Sequence, residues 1–341
     1  MVTQAAPDTS GSLGLTLSRH ILQQERQHRN IAGGLLTVLA QAGFLGKTLS
    51  REVGRAALVG RLGLVGDKNA TGDAQKKLDV YSNDVAVQAF SDTGVIAAIV
   101  SEELSEIAVV KGCEEAEYVI CMDPLDGSSN TDINGSVGTI FGVYRRTGAS
   151  DIACEFRRRG AEQVFAGYIM YSTSTLLVYT MGHGVYGFTL DRDLGEFLLS
   201  HDNIQCPTRG KAYSSNVAHL PEWSPNIQRY IAYLNEHDPA THRPYSLRYT
   251  GALVADLHRC LVEGGLYFYP PDPGHRQGKL RLLYECAPLA FIVENAGGAA
   301  TNGVQRILDV QGDSIHQRSP LAIGSKEDVE LYDRFFIDGR P

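Results

Sequence analysis

Residues Cys121–Asn130 read CMDPLDGSSN, and the interpretation of this stretch decides the fold. Asp123 and Asp126 stand three apart and run directly into Gly127, Ser128 and Ser129. Just upstream, Tyr118-Val119-Ile120-Cys121 is an apolar run of buried-strand type, so the two acids are expected at a strand's C-terminal end. Open α/β sheets gather their ligands at that end. Pro124 is expected to stop the strand, and Gly127 lets backbone approach a ligand with no Cβ between them. If Ser128, Ser129 and Asn130 open a helix, its free N–H groups face an anion. The stretch thus suits a metal on one side and a phosphate on the other. Read alone, an ordinary strand-to-helix turn capped by Asp or Ser accounts for it equally well.

Two further acidic positions change that balance. Val95–Val100 is a strand-length apolar run ending in Ser101-Glu102-Glu103, and Glu285 enters a helix shortly after Arg281. Neighbouring carboxylates repel one another unless a cation compensates. Glu102, Glu103, Asp123, Asp126 and Glu285, with the Leu125 carbonyl, form a hard oxygen site for two or more ions. Such a site suits Mg²⁺, with Mn²⁺ as the alternative, and not zinc, which takes Cys and His. Phosphate-ester hydrolysis follows from it: one ion lowers the pKa of a water while the others stabilise the leaving oxygen.

The chain has 341 residues, 43% hydrophobic and 21% charged, enough for one large or two ordinary globular domains. A net charge of −8, from 31 basic and 39 acidic residues, argues against nucleic acid as a partner. No apolar run reaches the ~18–20 residues of a membrane span, and no signal-peptide pattern opens the chain, so a cytoplasmic protein without a membrane partner is expected. The cysteines at 113, 121, 154, 206, 260 and 286 form no C-x-x-C pair; reduced thiols are expected, with Cys154 exposed. Asn69-Ala70-Thr71 is taken as a chance sequon.

Periodicity predicts helices over Thr16–Arg29, from Gly33-Gly34 to Ala57, and over Lys76–Phe90, Pro225–Asn235, Gly251–Glu263 and Ser325–Phe336. Pro288 fits the first turn of another, ending near Gly297. Strands are expected at Val137–Arg145, Val164–Val178, Gly184–Leu190, Gly265–Tyr269, Val304–Val310 and Pro320–Ile323. Residues 62–71 read as a polar loop able to act as a lid, and Arg157–Arg159 as a solvated turn. The texture changes around Asn203–Gly210, which divides the chain into residues 12–205 and 206–337.

Five motifs occur in order: Gly72-Asp73…Lys76-Lys77-Leu78-Asp79, Ser101-Glu102-Glu103, DPLDGSSN at 123–130, Arg248-Tyr249…Val254-Ala255-Asp256, and GKLRLLYE at 278–285. On these the chain closely resembles class I fructose-1,6-bisphosphatase, within the metal-dependent, lithium-sensitive sugar and inositol phosphatases. The resemblance implies an α/β fold, a layered α-β-α-β-α sandwich of two fused subdomains. Residues 12–205 would carry the metal chemistry behind a helical, effector-like start, and residues 206–337 the sugar-phosphate site. It implies Mg²⁺ dependence, a homotetramer, and hydrolysis of the 1-phosphate of fructose 1,6-bisphosphate. Sedoheptulose-1,7-bisphosphatase or dual specificity is the alternative; a catalytically inactive sensor fits the intact carboxylates less well.

By the same resemblance Glu102, Glu103, Asp123, Asp126, Glu285 and the Leu125 carbonyl become the metal shell. Asp79 with Glu103 becomes the pair that takes a proton from water, and Asp73 part of a closing loop. Gly127, Ser128 and Ser129, beside Asp126, hold the phosphate to be cleaved. Asn216, Tyr249, Tyr267, Tyr269, Lys279 and Arg281 bind the retained sugar phosphate, with Arg248 lent by a neighbouring subunit. Lys and Arg suit a phosphate that receives no help from metal. The chain also departs from the family. Val217-Ala218-His219 follows Asn216 where an acidic residue, Gly and an aromatic are usual. Asn30-Ile31-Ala32-Gly33-Gly34-Leu35 replaces the Gly-Thr-Gly-Glu-Met-Thr segment that binds AMP in regulated members, and Glu117 stands in place of a Lys. Weak or absent AMP inhibition and no thiol switch are expected.

Overall fold

A computed structural model describes residues 14–27, 33–68 and 74–340. The chain opens with helices α1 (Leu17–Gln27) and α2 (Gly33–Val53), then a hairpin of β1 (Leu64–Lys68) and β2 (Ala74–Lys76), then α3 (Lys77–Ser91). Leu35, Leu36, Val38, Leu39, Ala42, Leu45 and Leu49 of α2 are buried, a three- and four-residue recurrence that gives the helix one apolar face.

An eight-stranded sheet follows, built from β3 (Ile96–Ser101), β4 (Ala108–Val109), β5 (Tyr118–Asp126), β6 (Val137–Arg145), β7 (Gln163–Tyr171), β8 (Thr175–Thr180), β9 (Tyr186–Asp191) and β10 (Glu196–His201). Its spatial order is β10-β9-β8-β7-β6-β5-β3-β4. Within it β3 and β5 are parallel neighbours and are buried at every position, as their unbroken apolar runs require. The second half contributes β11 (Ala212–Ser214), α4 (Pro225–Asn235), β12 (Ser246–Leu247), α5 (Leu253–Glu263), β13 (Leu266–Tyr269) and β14 (Leu280–Arg281). It closes with α6 (Ala287–Asn295), β15 (Ala299–Thr301), β16 (Arg318–Ser319), β17 (Leu321–Gly324) and α7 (Lys326–Asp338). A five-stranded sheet runs β12-β11-β13-β17-β15, while β14 and β16 form a separate pair.

Side-chain alternation stacks these elements in five layers. Phe141, Phe165, Ile169, Leu177 and Tyr179 of the large sheet pack with α2 and α3. Their neighbours Ile140, Ala166, Tyr168, Leu176 and Val178 face the other way, onto Leu253, Leu257 and Leu261 of α5 and Leu289 and Val293 of α6. Tyr267, Tyr269 and Ile323 of the small sheet close that middle layer from its far side. Leu266 and Phe268 point outward to Tyr230 of α4 and Tyr332 and Phe335 of α7. The order is helices, sheet, helices, sheet, helices, the layered sandwich expected.

Several local expectations are corrected. Pro124 does not end its strand: β5 continues to Asp126, and the β5–β6 register shifts between Asp123 and Asp126, which absorbs the missing N–H in an irregularity. Residues 164–178 are two strands, turned at Ser172–Ser174, because the sequence marks that turn with small hydroxyl residues and no Gly or Pro. Val304–Val310 forms no strand but a bend and a 3-10 turn at Ile307–Asp309. The segment 62–71 contains β1, and its residues 69–71, with the sequon, lie outside the described residues. Arg158 is not solvated: it bonds Glu162 at 3.0 Å and the Arg145 carbonyl at 2.7 Å, beside the fully buried Glu155. Cys154 is exposed, as expected, and Cys121, Cys206, Cys260 and Cys286 are buried.

Candidate active site

The parallel pair β3–β5 builds the acid cluster. Ser101 is in register with Met122, and the Glu102 N–H donates to the Met122 carbonyl at 3.1 Å, so Glu102 falls beside Asp123 as both strands end. Asp123 folds back to accept the Leu125 N–H at 2.9 Å. Glu285 arrives on a π-helical turn, Leu282–Cys286, that joins β14 to α6, and its carboxylate accepts the Arg281 N–H. Such turns bring inward a residue that a regular helix would carry past. Glu102, Asp123 and Glu285 each offer an oxygen within 4.8 Å of the others.

The electrostatics of this cluster favour a cation. Burial, and then the charges of Glu102, Asp126 and Glu285, push Asp123 well above the usual carboxylate range. Burial likewise pushes Asp126 to about 7, against the pull of the Val254 and Leu253 N–H groups. Glu285 is also pushed up to about 7 by burial. Arg281 is the nearby internal cation, 4% exposed and 3.8 Å from Glu102. Even with Lys279, whose charge also reaches Glu285, two cations against four carboxylates leave negative charge over, so the donor set fits added hard cations.

Asp126 also joins the two halves of the chain. Its Oδ2 accepts the Val254 N–H at 2.8 Å, within the first turn of α5. Next to it Gly127 has φ +74°, and a Cβ there would lie 2.5 Å from the Ala252 Cβ. This close approach of backbone to backbone explains the glycine. Ser128–Ile133 is a short 3-10 turn, not a full helix. Asn130 ties this turn to the loop before α5 by donating to the Thr250 carbonyl at 3.0 Å. Asp256, fully buried, accepts the Thr250 N–H at 2.9 Å and the Gly251 N–H at 3.3 Å, which holds the Arg248–Ala252 loop from below.

Asp79 lies in the first turn of α3, where it accepts the Lys76 N–H at 2.8 Å. Burial raises its pKa, while that N–H and the neighbouring Ser128 hydroxyl oppose the rise. Glu103 accepts from Gln75 Nε2 at 2.7 Å. Lys76, the last residue of β2, reaches across to the Ser128–Ile133 turn, pairing with Asp132 at 2.7 Å.

One cavity of about 220 Å³ collects these groups. Asp79, Glu102, Glu103, Asp123, Leu125, Asp126 and Glu285 line it together with Gly127, Ser128 and Ser129. Tyr249, Tyr267, Tyr269, Lys279 and Arg281 line the rest, with the Lys279 ammonium 5.4 Å from the Tyr269 ring centre. Burial raises the Tyr249 hydroxyl to about 12, so it is a neutral donor. Asn216 and Arg248 are not among the lining residues. Arg248 is exposed and donates to the Leu247 carbonyl, while His219, beyond Asn216, pairs with Glu222 at 3.1 Å. Asp73 lies outside the described residues. Asn130 and Asp256 both stand in the quoted motifs, but their roles in binding loop backbone were not assigned from sequence; the signal for Asp256 was an acid on the apolar stripe of α5, next to Leu257.

Comparison with known proteins agrees with this geometry. Residues 15–202 match the family described as fructose-1-6-bisphosphatase, N-terminal domain, and residues 206–336 its C-terminal domain. A class 1 fructose-1,6-bisphosphatase of Acaryochloris marina is 55% identical over 95% of this chain and 98% of its own. One from Chlorobium phaeobacteroides is 48% identical over 94% and 98%. The crystal structure of Leishmania major fructose-1,6-bisphosphatase in holo form superposes with a TM-score of 0.89 at 38% identity, covering 95% of this chain and 99% of that one.

Proposed function

The chain belongs to the fructose-1,6-bisphosphatase family, and from that footing we propose that it hydrolyses the 1-phosphate of fructose 1,6-bisphosphate, leaving fructose 6-phosphate. The observation that carries the reading is the lining of this one cavity, which holds both a cluster of buried carboxylates and a set of donors, Lys279 with Tyr249, Tyr267 and Tyr269. A bisphosphate needs two unlike anion sites, one reached through cations and one through side-chain donors.

Glu102, Asp123, Asp126 and Glu285, with Glu103 and the Leu125 carbonyl, would hold Mg²⁺ ions. Bound there, the metal supplies Lewis-acid stabilisation of phosphoryl charge and a more acidic water. The N–H groups of Gly127, Ser128 and Ser129 orient the phosphoryl oxygens. Asp79 and Glu103 receive the proton of the attacking water as its oxygen bonds to phosphorus. The bond from phosphorus to the C1 oxygen breaks, and the proton ends on that oxygen. Lys279, Tyr249 and Tyr269 hold the 6-phosphate so that the 1-phosphate faces the acids. Arg281 and the buried Tyr267 line the same cavity, and Asn216 is proposed as a further contact of the sugar phosphate although it does not line the cavity. Arg248 serves a neighbouring copy in a homotetramer, a reading supported by its exposure outside its own chain's cavity. No described helix is long and apolar enough to cross a membrane, and we place the enzyme in the cytoplasm.

The test is phosphate release from fructose 1,6-bisphosphate and sedoheptulose 1,7-bisphosphate, compared as kcat/KM. The larger sugar is included because Val217-Ala218-His219 stands where other residues are usual after Asn216. Higher kcat/KM on the fructose ester supports the proposal; turnover of neither sugar with Mg²⁺ present refutes it.

A further inference from the structure

His316 does not line the active-site cavity, yet its ring joins two of the turns that deliver the acids. On one side Nε2 stands 3.0 Å from the carbonyl of Leu104, the residue that follows Glu102-Glu103. On the other, Nδ1 stands 2.9 Å from the hydroxyl of Tyr284, the residue that precedes Glu285. These partners fix the tautomer. A carbonyl only accepts, so Nε2 carries the hydrogen and Nδ1 is left to accept the Tyr284 O–H. Burial keeps both groups neutral, holding the imidazole below its ordinary pKa and the phenol above its own. Both hydrogen bonds are thus made without a charge being brought to the acids.

The backbone around His316 is itself fixed to the stretch that ends in Glu285. Just after it, β16 pairs with β14, with Arg318 opposite Arg281. The Gln317 carbonyl accepts the Leu282 N–H at 2.8 Å, and the Gln317 side-chain oxygen accepts the Asp313 N–H at 2.6 Å. Arg318 Nη1 donates to the Lys279 carbonyl at 3.0 Å. Ile315 packs into one small core with Val100, Leu283 and Tyr284. Residues 315–318 therefore follow the π turn as one body, and the His316 ring carries that attachment across to the end of β3.

The crossing matters because the acids repel one another. Glu102, Asp123 and Glu285 come from three elements and place oxygens within 4.8 Å. Like charges that close push their elements apart unless something holds them. For β5 the Cys121 thiol does so, donating to the Leu283 carbonyl at 3.1 Å. Arg281 attracts Glu102 at 3.8 Å, but only by its side chain. His316 holds the backbone of the Glu102-Glu103 turn.

On the reading of this cluster as the metal site, we propose that His316 is a positioning residue for the divalent cations: it sets the separation between the Glu102-Glu103 turn and Glu285, and with it the affinity for metal. Partners behind metal ligands commonly govern that affinity by about ten- to a hundredfold.

Mn²⁺ binding to the full chain, followed by loss of the free-ion EPR signal, tests this without turnover. His316→Phe removes both hydrogen bonds and is expected to weaken Mn²⁺ binding about tenfold. His316→Gln keeps an N–H at the reach of Nε2 and should recover most of that loss. Tyr284→Phe deletes one hydroxyl and should weaken binding about threefold; it repeats the comparison should His316→Phe fail to fold. In turnover of fructose 1,6-bisphosphate, the Mg²⁺ concentration for half-activity should rise in step, while KM at saturating Mg²⁺ moves less than about twofold. A merely structural loss would move both. The proposal is overturned if His316→Phe, or Tyr284→Phe in its place, binds Mn²⁺ as wild type does. It is also overturned if His316→Gln binds no better than His316→Phe, or if KM rises together with the metal constant. A wild type that binds no Mn²⁺ refutes the metal site along with the proposal, whereas equal binding by wild type and variants refutes the proposal alone.

Discussion

Asp126 lines the active-site cavity and at the same time accepts the Val254 N–H that opens α5. Its two replacements therefore separate chemistry from folding. Asp126→Asn keeps an oxygen for that N–H and removes the charge, so kcat falls roughly a hundredfold or more with little change in Tm. Asp126→Ala also loses the cap, at about 1 kcal/mol, read as a lower Tm for the alanine than for the asparagine variant. Gly127→Ala places a Cβ 2.5 Å from the Ala252 Cβ at φ +74°, a cost of about 1–3 kcal/mol read by urea unfolding. Glu117, which stands where the AMP-regulated members of the family carry a Lys, pairs with Arg145 at 3.1 Å. AMP up to millimolar concentration is therefore expected to leave turnover unchanged, and inhibition at micromolar AMP contradicts this. At this scale the acids were legible because their residue types and strand-end positions declare them. Asn130 and Asp256 were not, since their work is to bind backbone in a loop whose path only the fold defines.

The acid cluster depends on three elements ending at one place, the parallel pair β3–β5 and the π turn of Leu282–Cys286. Apolar runs announced the two strands. No run announces a π turn, because one added residue in a helical stretch leaves hydrophobic spacing almost unchanged. Pro124 misled for a related reason: the irregular β5–β6 register needs no N–H there, and Thr139 Oγ1 donates to the Pro124 carbonyl at 2.9 Å. The loop before α5 supplies a test of an element held by one buried group. Asp256→Ala leaves the Thr250 and Gly251 N–H groups without their acceptor, at about 1–3 kcal/mol. Because Tyr249 rides on this loop, KM for the bisphosphate should rise more than kcat falls, measured by initial rates.

Across the whole molecule, two large sheets and three helical layers bring Asp79, Glu102, Glu103, Asp123 and Asp126 from the first half, and Glu285, Lys279 and Arg281 from the second, to one cavity. The layering was legible through family motifs, and its physical cause is that β6, β7, β8 and β13 are buried on both faces, alternate residues joining different cores. The stacking of four like charges has a price in stability, and its sign is fixed by the raised pKa values. Asp126 and Glu285 titrate near 7 in the fold, above the ~4 of an unfolded carboxylate. Their favourable share of stability is whole below pH ~4 and is lost as pH rises through about 7. Metal-free protein should thus lose Tm between pH ~4 and ~7 and level off above, and saturating Mg²⁺ should reverse the trend, because cations compete with protons for the same oxygens. Scanning calorimetry with and without chelator reads both slopes; a metal-free Tm that climbs across this range contradicts the charge assignment.

The most direct measurement follows fructose 1,6-bisphosphate by phosphorus NMR with wild type and Asp126→Asn, each with Mg²⁺ and with chelator. Wild type with Mg²⁺ should release inorganic phosphate while the 6-phosphate resonance persists, and the other three samples should be nearly silent. Loss of the 6-phosphate, or undiminished release from Asp126→Asn or from chelated wild type, would contradict the account.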